Sequence, residues 1–534
     1  MSKRSLKASV EGAKTSRRVF ERRGWTQENL AAEVNLKTRQ PIWRFFTGRP
    51  IERHTFIEIC DVLDLNWWEV ADELPESDLR ITQMPEDTMS KHLNHSDPNQ
   101  LVQQVRLHHH DKIQAQCGHI VIFNSNQIWH LDDIYVNVNF LRQVRSQRWF
   151  ESDSFHQKGN QEPDHRNASL DTSLRGFNQD VANQLISTLQ IFETHSKLRI
   201  LGKPGSGKTT VLQHLALQCI RGRVLADQIP IFVTLEKLTR YSGVRDDFNL
   251  FDYLCKELQP YHINSDQVES LLQSGKFALF LDGLDEISDR HVQTSIAKEI
   301  DYFSDDYYRN TVIITCRTGA QTFQFLRFKD FEISDLTPTQ IDEFATKWSR
   351  NSFSSDEEAS KWTQEFIDQL NLHENWQIKD LVRSPLLLSQ ICVAFQRNQT
   401  FLSDQDELYQ HCLNILLFQW DQARGIQRYT HQPTIPFALE LSILNCLAAD
   451  TLKQKAYLFS KRNIDICVEK CMNKHTNSLI NSESLLLERT ALLESMIAHH
   501  GMLVEQAQGI YSFANAAFHE HFALQLKDSG GAAV

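Results

Sequence analysis

The stretch 198-LRILGKPGSGKTTVLQHLALQCI-220 decides the architecture of this chain. LRIL reads as the end of a strand, and TVLQHLALQCI reads as a helix that begins without an intervening linker. Between them, Gly202, Lys203, Pro204, Gly205, Ser206, Gly207, Lys208 and Thr209 fit the pattern G-x-x-x-x-G-K-[ST], with Thr210 in the first helical turn. Successive backbone N–H groups of such a loop, backed by a helix N-terminus, form a nest for a phosphate. Lys208 is expected at the β/γ-phosphates and the Thr209 hydroxyl on Mg²⁺. An ordinary glycine loop would not require this flanking strand and helix.

Working outward, the apolar run ALFL meets Asp282, Gly283, Asp285 and Glu286 in 278-ALFLDGLDEI-287, and Asp282 falls 74 residues after Lys208. A carboxylate at a strand tip at this distance is expected to hold Mg²⁺ as the second metal ligand beside Thr209. A helix cap would explain one acid but not three. Asp285 and Glu286 compete for positioning the attacking water, and spacing alone does not rank them. A further strand, 311-TVIITCR-317, ends in Arg317. Its guanidinium fork suits phosphate oxygens, which makes Arg317 a catalytic candidate; the bland reading is a surface ion pair. KLRIL, IPIFVTL, FALFL and TVIITC alternate with amphipathic helical stretches between residues 177 and 335, the order of a mostly parallel α/β sheet.

With 534 residues the chain has room for two to four domains. Net charge is −12, but residues 1–66 carry 13 Lys/Arg against 8 Asp/Glu, so a basic head precedes an acidic body. The N-terminus has no apolar core of signal-peptide length, and no run approaches the roughly 18 apolar residues of a membrane span. Ten cysteines without a tight framework fit reduced thiols, and the expectation is a cytoplasmic protein with no membrane partner. Cys467 and Cys471 sit four apart on a helix without a second pair at zinc spacing, and His108, His109 and His110 read as a solvated face; neither set is expected to bind metal.

Residues 17–66 read as short helices joined by tight turns. Thr26 caps a helix with Leu30, Ala31 and Val34 inward; a second begins near Thr38 with Pro41 in its first turn and Gly48 at its end; Phe56, Ile59, Cys60 and Leu63 form a further apolar stripe. Such a helix-turn-helix would present Arg39, Gln40 and Arg44 to a DNA groove, or the bundle would contact protein. Residues 73–100 read as a polar linker, 101–146 as a small strand-containing module, and 151–175 as a second polar stretch. After 336 the pattern turns helical, with a hairpin at 501–513.

In this order GKPGSGKT, LFLDGLDE and VIITCR resemble the NACHT class of STAND NTPases, signalling relatives of AAA+ machines, whose hallmark is a small residue after the metal-holding Asp followed by an acidic pair. The likeness extends over about 177–526, with LVRSPLLLSQI, LYQHCLNILLFQWDQARGIQR and GMLVEQAQGIYSFANAAFHEHFA resembling the helical and winged-helix parts of bacterial, especially cyanobacterial, members. WTQENLA and the following NLKTRQPIWRFFTG resemble the lambda-repressor-like (XRE) family.

The resemblance implies a multidomain α/β chain: a helix-turn-helix domain at 1–72, a linker and strand module at 73–176, a P-loop nucleotide domain at 177–335, a helical domain at 336–428, a winged-helix domain at 429–526 and a tail at 527–534. It implies that Pro385 approaches the adenine. It also implies that Asn515 stands where relatives place a phosphate-facing His, with His519 in a Gln position, although His519 and His521 read as core residues. Function follows as ATP/ADP and Mg²⁺ binding, slow hydrolysis used as a switch, self-assembly when an unknown trigger binds, and a role in antiphage defence. The competing readings are an ATP-gated transcription regulator acting through residues 17–66, and a nucleotide-binding scaffold.

Overall fold

The computed structural model describes residues 5–22, 25–34, 36, 38–63, 65, 70–72, 98–122, 128–147, 185–241, 248–287, 289–320, 323–398, 401, 405–419, 437–475, 492–493 and 495–529. Of the polar stretches expected at 73–100 and 151–175, residues 73–97 and 151–175 lie outside these. The chain divides into two compact units, residues 1–97 and 98–534.

In the first unit, β1 (Ser5–Leu6) pairs antiparallel with β2 (Ile51–Glu52), beside helices Val10–Arg22, Gln27–Glu33, Gln40–Phe46 and Arg53–Val62. Thr26 Oγ1 accepts from Asn29 N at 3.2 Å, which satisfies an orphan donor at a helix start. Leu30, Ile42, Phe45, Phe56, Ile59 and Leu63 are fully buried, so the two apolar stripes legible in the sequence converge on one core with the helix between them. Arg39, Gln40, Trp43 and Arg44 are exposed; Arg39 pairs with Glu28 at 2.6 Å, and the Arg49 guanidinium lies 4.7 Å from the Trp43 ring centre.

The second unit opens with a helix, Pro98–Cys117, where a linker end and strand module are the sequence expectation. His108 and His110 on it are exposed, but His109 is buried, with Nδ1 3.1 Å from the Tyr261 hydroxyl. Three adjacent residues on a helix span about 200° of arc, so one of them must turn inward. β3 (His119–Val121) and β4 (Ile128–His130) form a hairpin. Then β5 (Asn139–Leu141) and β6 (Leu185–Ser187) join β7 (Lys197–Gly202), β8 (Ile229–Thr234), β9 (Phe277–Asp282), β10 (Thr311–Arg317) and β11 (Lys329–Ile333) in one seven-stranded sheet, ordered β6-β5-β11-β7-β10-β9-β8. The five strands from β7 to β11 are mutually parallel, whereas β5 and β6 add antiparallel at one edge. Residues 139–141 therefore extend the main sheet. Phe140 is apolar enough to pack with Leu198, Ile200 and Phe331, and no separate core for this segment is needed.

β7, β9 and β10 are buried along their whole length, as expected for parallel strands covered on both faces. One face presents Leu198, Ile200, Ala278, Phe280 and Ile313 at the two-residue period to Val211 and Leu215 of the Lys208–Ile220 helix and to Ile113 and Cys117. After the sheet, Thr337 and Gln340 form a capping box with Pro338 in the first turn, and a helix runs Pro338–Ser352. Helices Asp356–Leu370, Trp376–Leu381, Pro385–Asn398, Gln405–Asn414, Phe437–Lys453, Lys461–His475 and Ala516–Ser529 follow. They share a core with a three-stranded antiparallel sheet, β12 (Phe459–Ser460), β14 (Ile510–Phe513) and β13 (Leu503–Ala507) in that order. The hairpin at 501–513 is present as β13 and β14. His519 and His521 are buried; His519 Nε2 lies 2.8 Å from the Thr451 hydroxyl and its ring stacks on Phe513, 4.4 Å between centres.

Candidate nucleotide site

Parallel pairing sets the site. Arg317 is registered opposite Gly202, and Thr234 opposite Asp282, so the loops after β7, β9 and β10 leave the sheet at one edge. This is the carboxyl edge, where open α/β sheets bind ligands. A cavity of about 160 Å³ opens there, lined at one end by Gly205, Gly207, Lys208, Thr209, Thr210, Asp282, Asp285, Glu286 and Arg317. Gly202 closes β7 beneath it, and Ser206 is buried within the loop.

Lys208 folds over the loop, donating to the carbonyls of Gly202 and Lys203 at 2.9 Å each. Burial pushes this ammonium down to about 8, against the pull of Asp285. An arriving phosphate would restore the charge. Thr209 Oγ1 donates to Asp282 Oδ1 at 3.0 Å. A hydroxyl and a carboxylate in contact, at the mouth of a phosphate nest, are the hard oxygen donors that suit Mg²⁺, so the residues fit that ion.

Asp282 is also fixed from below. Thr315 Oγ1 donates to Asp282 Oδ1 at 2.7 Å and accepts from Gly283 N at 2.8 Å. Thr315 lies two residues before Arg317, hence on the same face of β10. Only that spacing could have singled it out in the sequence. Gly283 has φ of 79°, and a Cβ there would meet Glu286 Oε2 at 2.8 Å. A side chain at this position would therefore displace the Glu286 carboxylate from its place against Gly283.

The acidic pair divides. Asp285 turns both oxygens to Arg317: Oδ1 accepts from the Arg317 backbone N at 2.9 Å, and Oδ2 lies 3.1 Å from Nε. Both side chains are almost fully buried, so the pair is screened from water and rigid. Arg317 is no surface ion pair. The chelated partner in this arrangement is Asp285, while the Glu286 carboxylate stays against Gly283.

The other end of the cavity is apolar. Ile120, Ile122, Ile134 and Val136 reach it from the segment before the sheet, and Leu336, Phe344, Pro385 and Leu386 from the segment after it. Leu386 N donates to Gly205 O at 3.2 Å, which docks the Pro385–Asn398 helix on the P-loop. Pro385 Cγ lies 3.9 Å from where a Gly207 Cβ would be. Pro385 thus lines the cavity next to the P-loop. Residues 120–136 carried a strand signal in the sequence, but nothing in their composition tied them to a nucleotide.

Five other candidates are not among the residues that line this cavity. Lys203 Nζ bonds Asp335 at 2.7 Å and lines a second, smaller cavity of about 30 Å³ behind the loop, which Pro204 and Ser206 also border. Burial would raise the Asp335 carboxyl, but Lys203, Arg145 and Arg383 together hold it well below the usual range. Asn515 borders this rear cavity rather than the nucleotide cavity. Its amide donates to the Asp380 carbonyl at 3.2 Å, while Asp380 Oδ2 accepts from Ala516 N at 2.7 Å, and these bonds fix it there. Gly501, with φ of 64°, presses on the same loop: a Cβ on it would meet Pro204 Cδ at 2.4 Å. Arg39, Gln40 and Arg44 belong to the first unit, exposed on and beside the Gln40–Phe46 helix.

Strand, loop, helix and carboxyl-edge acids together define a P-loop nucleotide-binding domain of mostly parallel α/β type. Residues 196–352 match the family model described as the NACHT domain, so the chain carries a NACHT domain spanning β7 to the first helix after the sheet. Structural likeness is distant. The Aeropyrum pernix ORC2 protein, in ADPNP and ADP complexes, aligns at 9% identity and TM-score 0.32 over 73% of this chain and 100% of that one. The Cdc6p of Pyrobaculum aerophilum aligns at 11% and 0.21 over 71% and 99%, and Drosophila ORC bound to DNA at 13% and 0.23 over 66% and 87%. No curated protein matches. Among the described residues no helix is long and apolar enough to cross a membrane.

Proposed function

We propose that this chain is a STAND-type ATPase of the NACHT class that works as a nucleotide-dependent signalling switch in bacterial antiphage defence. One observation carries the reading: segments from before the sheet, from its carboxyl edge and from the helices after it all wall one cavity. A nucleotide bound there touches parts of the chain far apart in sequence, so its phosphate state is sensed by several elements at once. Moving such a switch from 1:99 to 99:1 needs roughly 10⁴-fold differential affinity, about 5.5 kcal/mol.

In the proposed reaction Lys208 and the P-loop amides hold the β/γ-phosphates, with Thr209 and Asp282 as the Mg²⁺ ligands. The ion, when bound, neutralises phosphate charge that develops during transfer. Glu286 orients the attacking water and accepts its proton. Asp285 is a positioning residue that aims Arg317 at the γ-phosphate, and Pro385 with Phe344 covers the base. Lys203 and Asn515 have no phosphate contact in this scheme. The ADP form is the closed monomer, with the Gly501 and Asn515 region of the winged-helix part seated behind the P-loop; exchange to ATP opens it and permits assembly.

Purified full-length protein tests this by its mass and nucleotide content in solution. Bound ADP in a monomer that assembles with a non-hydrolysable ATP analogue is the expected result; an identical mass in both states sinks the switch. Equal phosphate release by wild type and Glu286→Gln would remove Glu286 from the chemistry and leave a nucleotide-binding scaffold.

A second reading is favoured by the separate first unit, whose residues 1–66 are basic and whose Arg39, Gln40 and Arg44 are exposed: an ATP-gated transcription regulator using a helix-turn-helix. Phage protection that survives deletion of residues 1–72 excludes an operator-based mechanism.

A further inference from the structure

Away from the nucleotide, the Phe437–Lys453 and Lys461–His475 helices bring three donors together. Cys446 and Asp450 are four residues apart and so share a helix face, and Cys467 comes from the neighbouring helix. One ligand atom from each lies within 4.8 Å of the other two. Cys467 Sγ stands 3.9 Å from Asp450 Oδ2. Cys467 is buried, whereas Cys446 and Asp450 are half-buried, so the cluster opens to solvent on one side. Lys470 Nζ sits on Asp450 Oδ2 at 2.8 Å and is itself half in water.

We propose that Cys446, Asp450 and Cys467 form a binding site for a thiophilic divalent cation of the zinc type. In a tetrahedral zinc site, bonds of about 2.3 Å to sulfur and 2.0–2.2 Å to oxygen put the ligands roughly 3.5–3.8 Å apart. The present spacing needs side-chain rotation of under about an ångström to reach that. Two thiolates and a carboxylate exclude the hard ions, which take oxygen alone, and leave the fourth position to water on the open side. Charge supports the same ion: three anionic ligands and a dication leave one negative charge, and Lys470 neutralises it. The Asp450 carboxylate has lone pairs enough to serve both Lys470 and a metal. Cys471 is not a ligand, because its Sγ turns to the Ser442 carbonyl at 3.5 Å. The metal would tie together two helices of the region that presses on the P-loop.

The test uses reduced, metal-stripped, full-length protein titrated with Co²⁺ and then Zn²⁺. A near-ultraviolet thiolate-to-cobalt band that saturates at one equivalent and is displaced by zinc is expected. Cys446→Ser and Cys467→Ser should each weaken binding by more than about tenfold, Asp450→Asn less, and Cys471→Ser not at all. Each variant's metal-free melting is compared with wild type, and zinc protection of Cys446 from alkylation is followed in the wild-type chain, which needs no variant to fold. Absence of the cobalt band in wild type, alkylation of Cys446 undiminished by zinc, or a band that persists in both folded serine variants overturns the proposal. Any of these would leave the cluster a packed thiol pair only.

Discussion

Thr315→Val probes whether Asp282 is held in place from within the sheet. The substitution preserves shape but removes a hydroxyl that donates 2.7 Å to Asp282 Oδ1 and accepts 2.8 Å from Gly283 N. Thr315 is 1% exposed and Asp282 2%, so both bonds are made almost wholly out of bulk water. A buried amide left unpaired costs about 1–3 kcal/mol, and a hydrogen bond to a charged group contributes roughly 1.5–3 kcal/mol. Overlap between the two losses puts the expected destabilisation at about 2–4 kcal/mol. Because Asp282 and Thr209 meet at the proposed Mg²⁺ position, metal-dependent nucleotide affinity should fall roughly 10–100-fold, the usual effect of removing a partner behind a metal ligand. The assay is titration of a fluorescent ATP analogue with Mg²⁺ and with chelator, beside urea unfolding. Thr315→Ser keeps the hydroxyl and should restore most of both. Wild-type Mg²⁺ dependence in Thr315→Val, or a Thr315→Ser variant as impaired as the valine one, refutes the reasoning.

Lys208 is held down to about 8 in the nucleotide-free protein, so it is largely neutral above that pH until phosphate recharges it. Nucleotide binding at pH 8–10 should therefore take up a proton and weaken as pH rises; calorimetry in buffers of different ionisation enthalpy reads this directly. Asp380→Ala removes the carboxylate that accepts from Ala516 N at the start of the last described helix. A loss of about 1 kcal/mol is expected, with faster amide exchange at 516–519 and partial rescue by Asn. His519 is pushed by burial down to about 4, below its ordinary value, so the unfolded chain binds its proton first as pH falls. Its contribution to stability is present above about pH 6.5 and lost toward 4, roughly 2 kcal/mol by pH 5, and His519→Gln should flatten that slope in urea unfolding.

What the sequence determined by itself are the features with a local cause. The P-loop must be glycine-rich and open a helix to wrap a phosphate, so Gly202 to Thr209 announce strand, loop and helix within one short window. Apolar runs ending in Asp282 and Arg317 mark buried parallel strands because only such strands are apolar on both faces. The stripes through Leu30 and Ile59 likewise carry their period in the chain. Tertiary structure alone decided what depends on distant pairing. Register put Thr315 under Asp282 and turned Asp285 to Arg317, a division of labour invisible in the spacing of 282, 285 and 286. Sheet extension drew 139–141 into the main fold, since β5 pairs with a strand nearly two hundred residues later. The apolar end of the cavity is assembled from Ile120, Ile122, Ile134 and Val136 together with Leu336, Phe344, Pro385 and Leu386, and the Cys446, Asp450 and Cys467 cluster from two helices. A side chain's neighbours across a helix pair or a sheet are fixed by packing, and no local pattern encodes them.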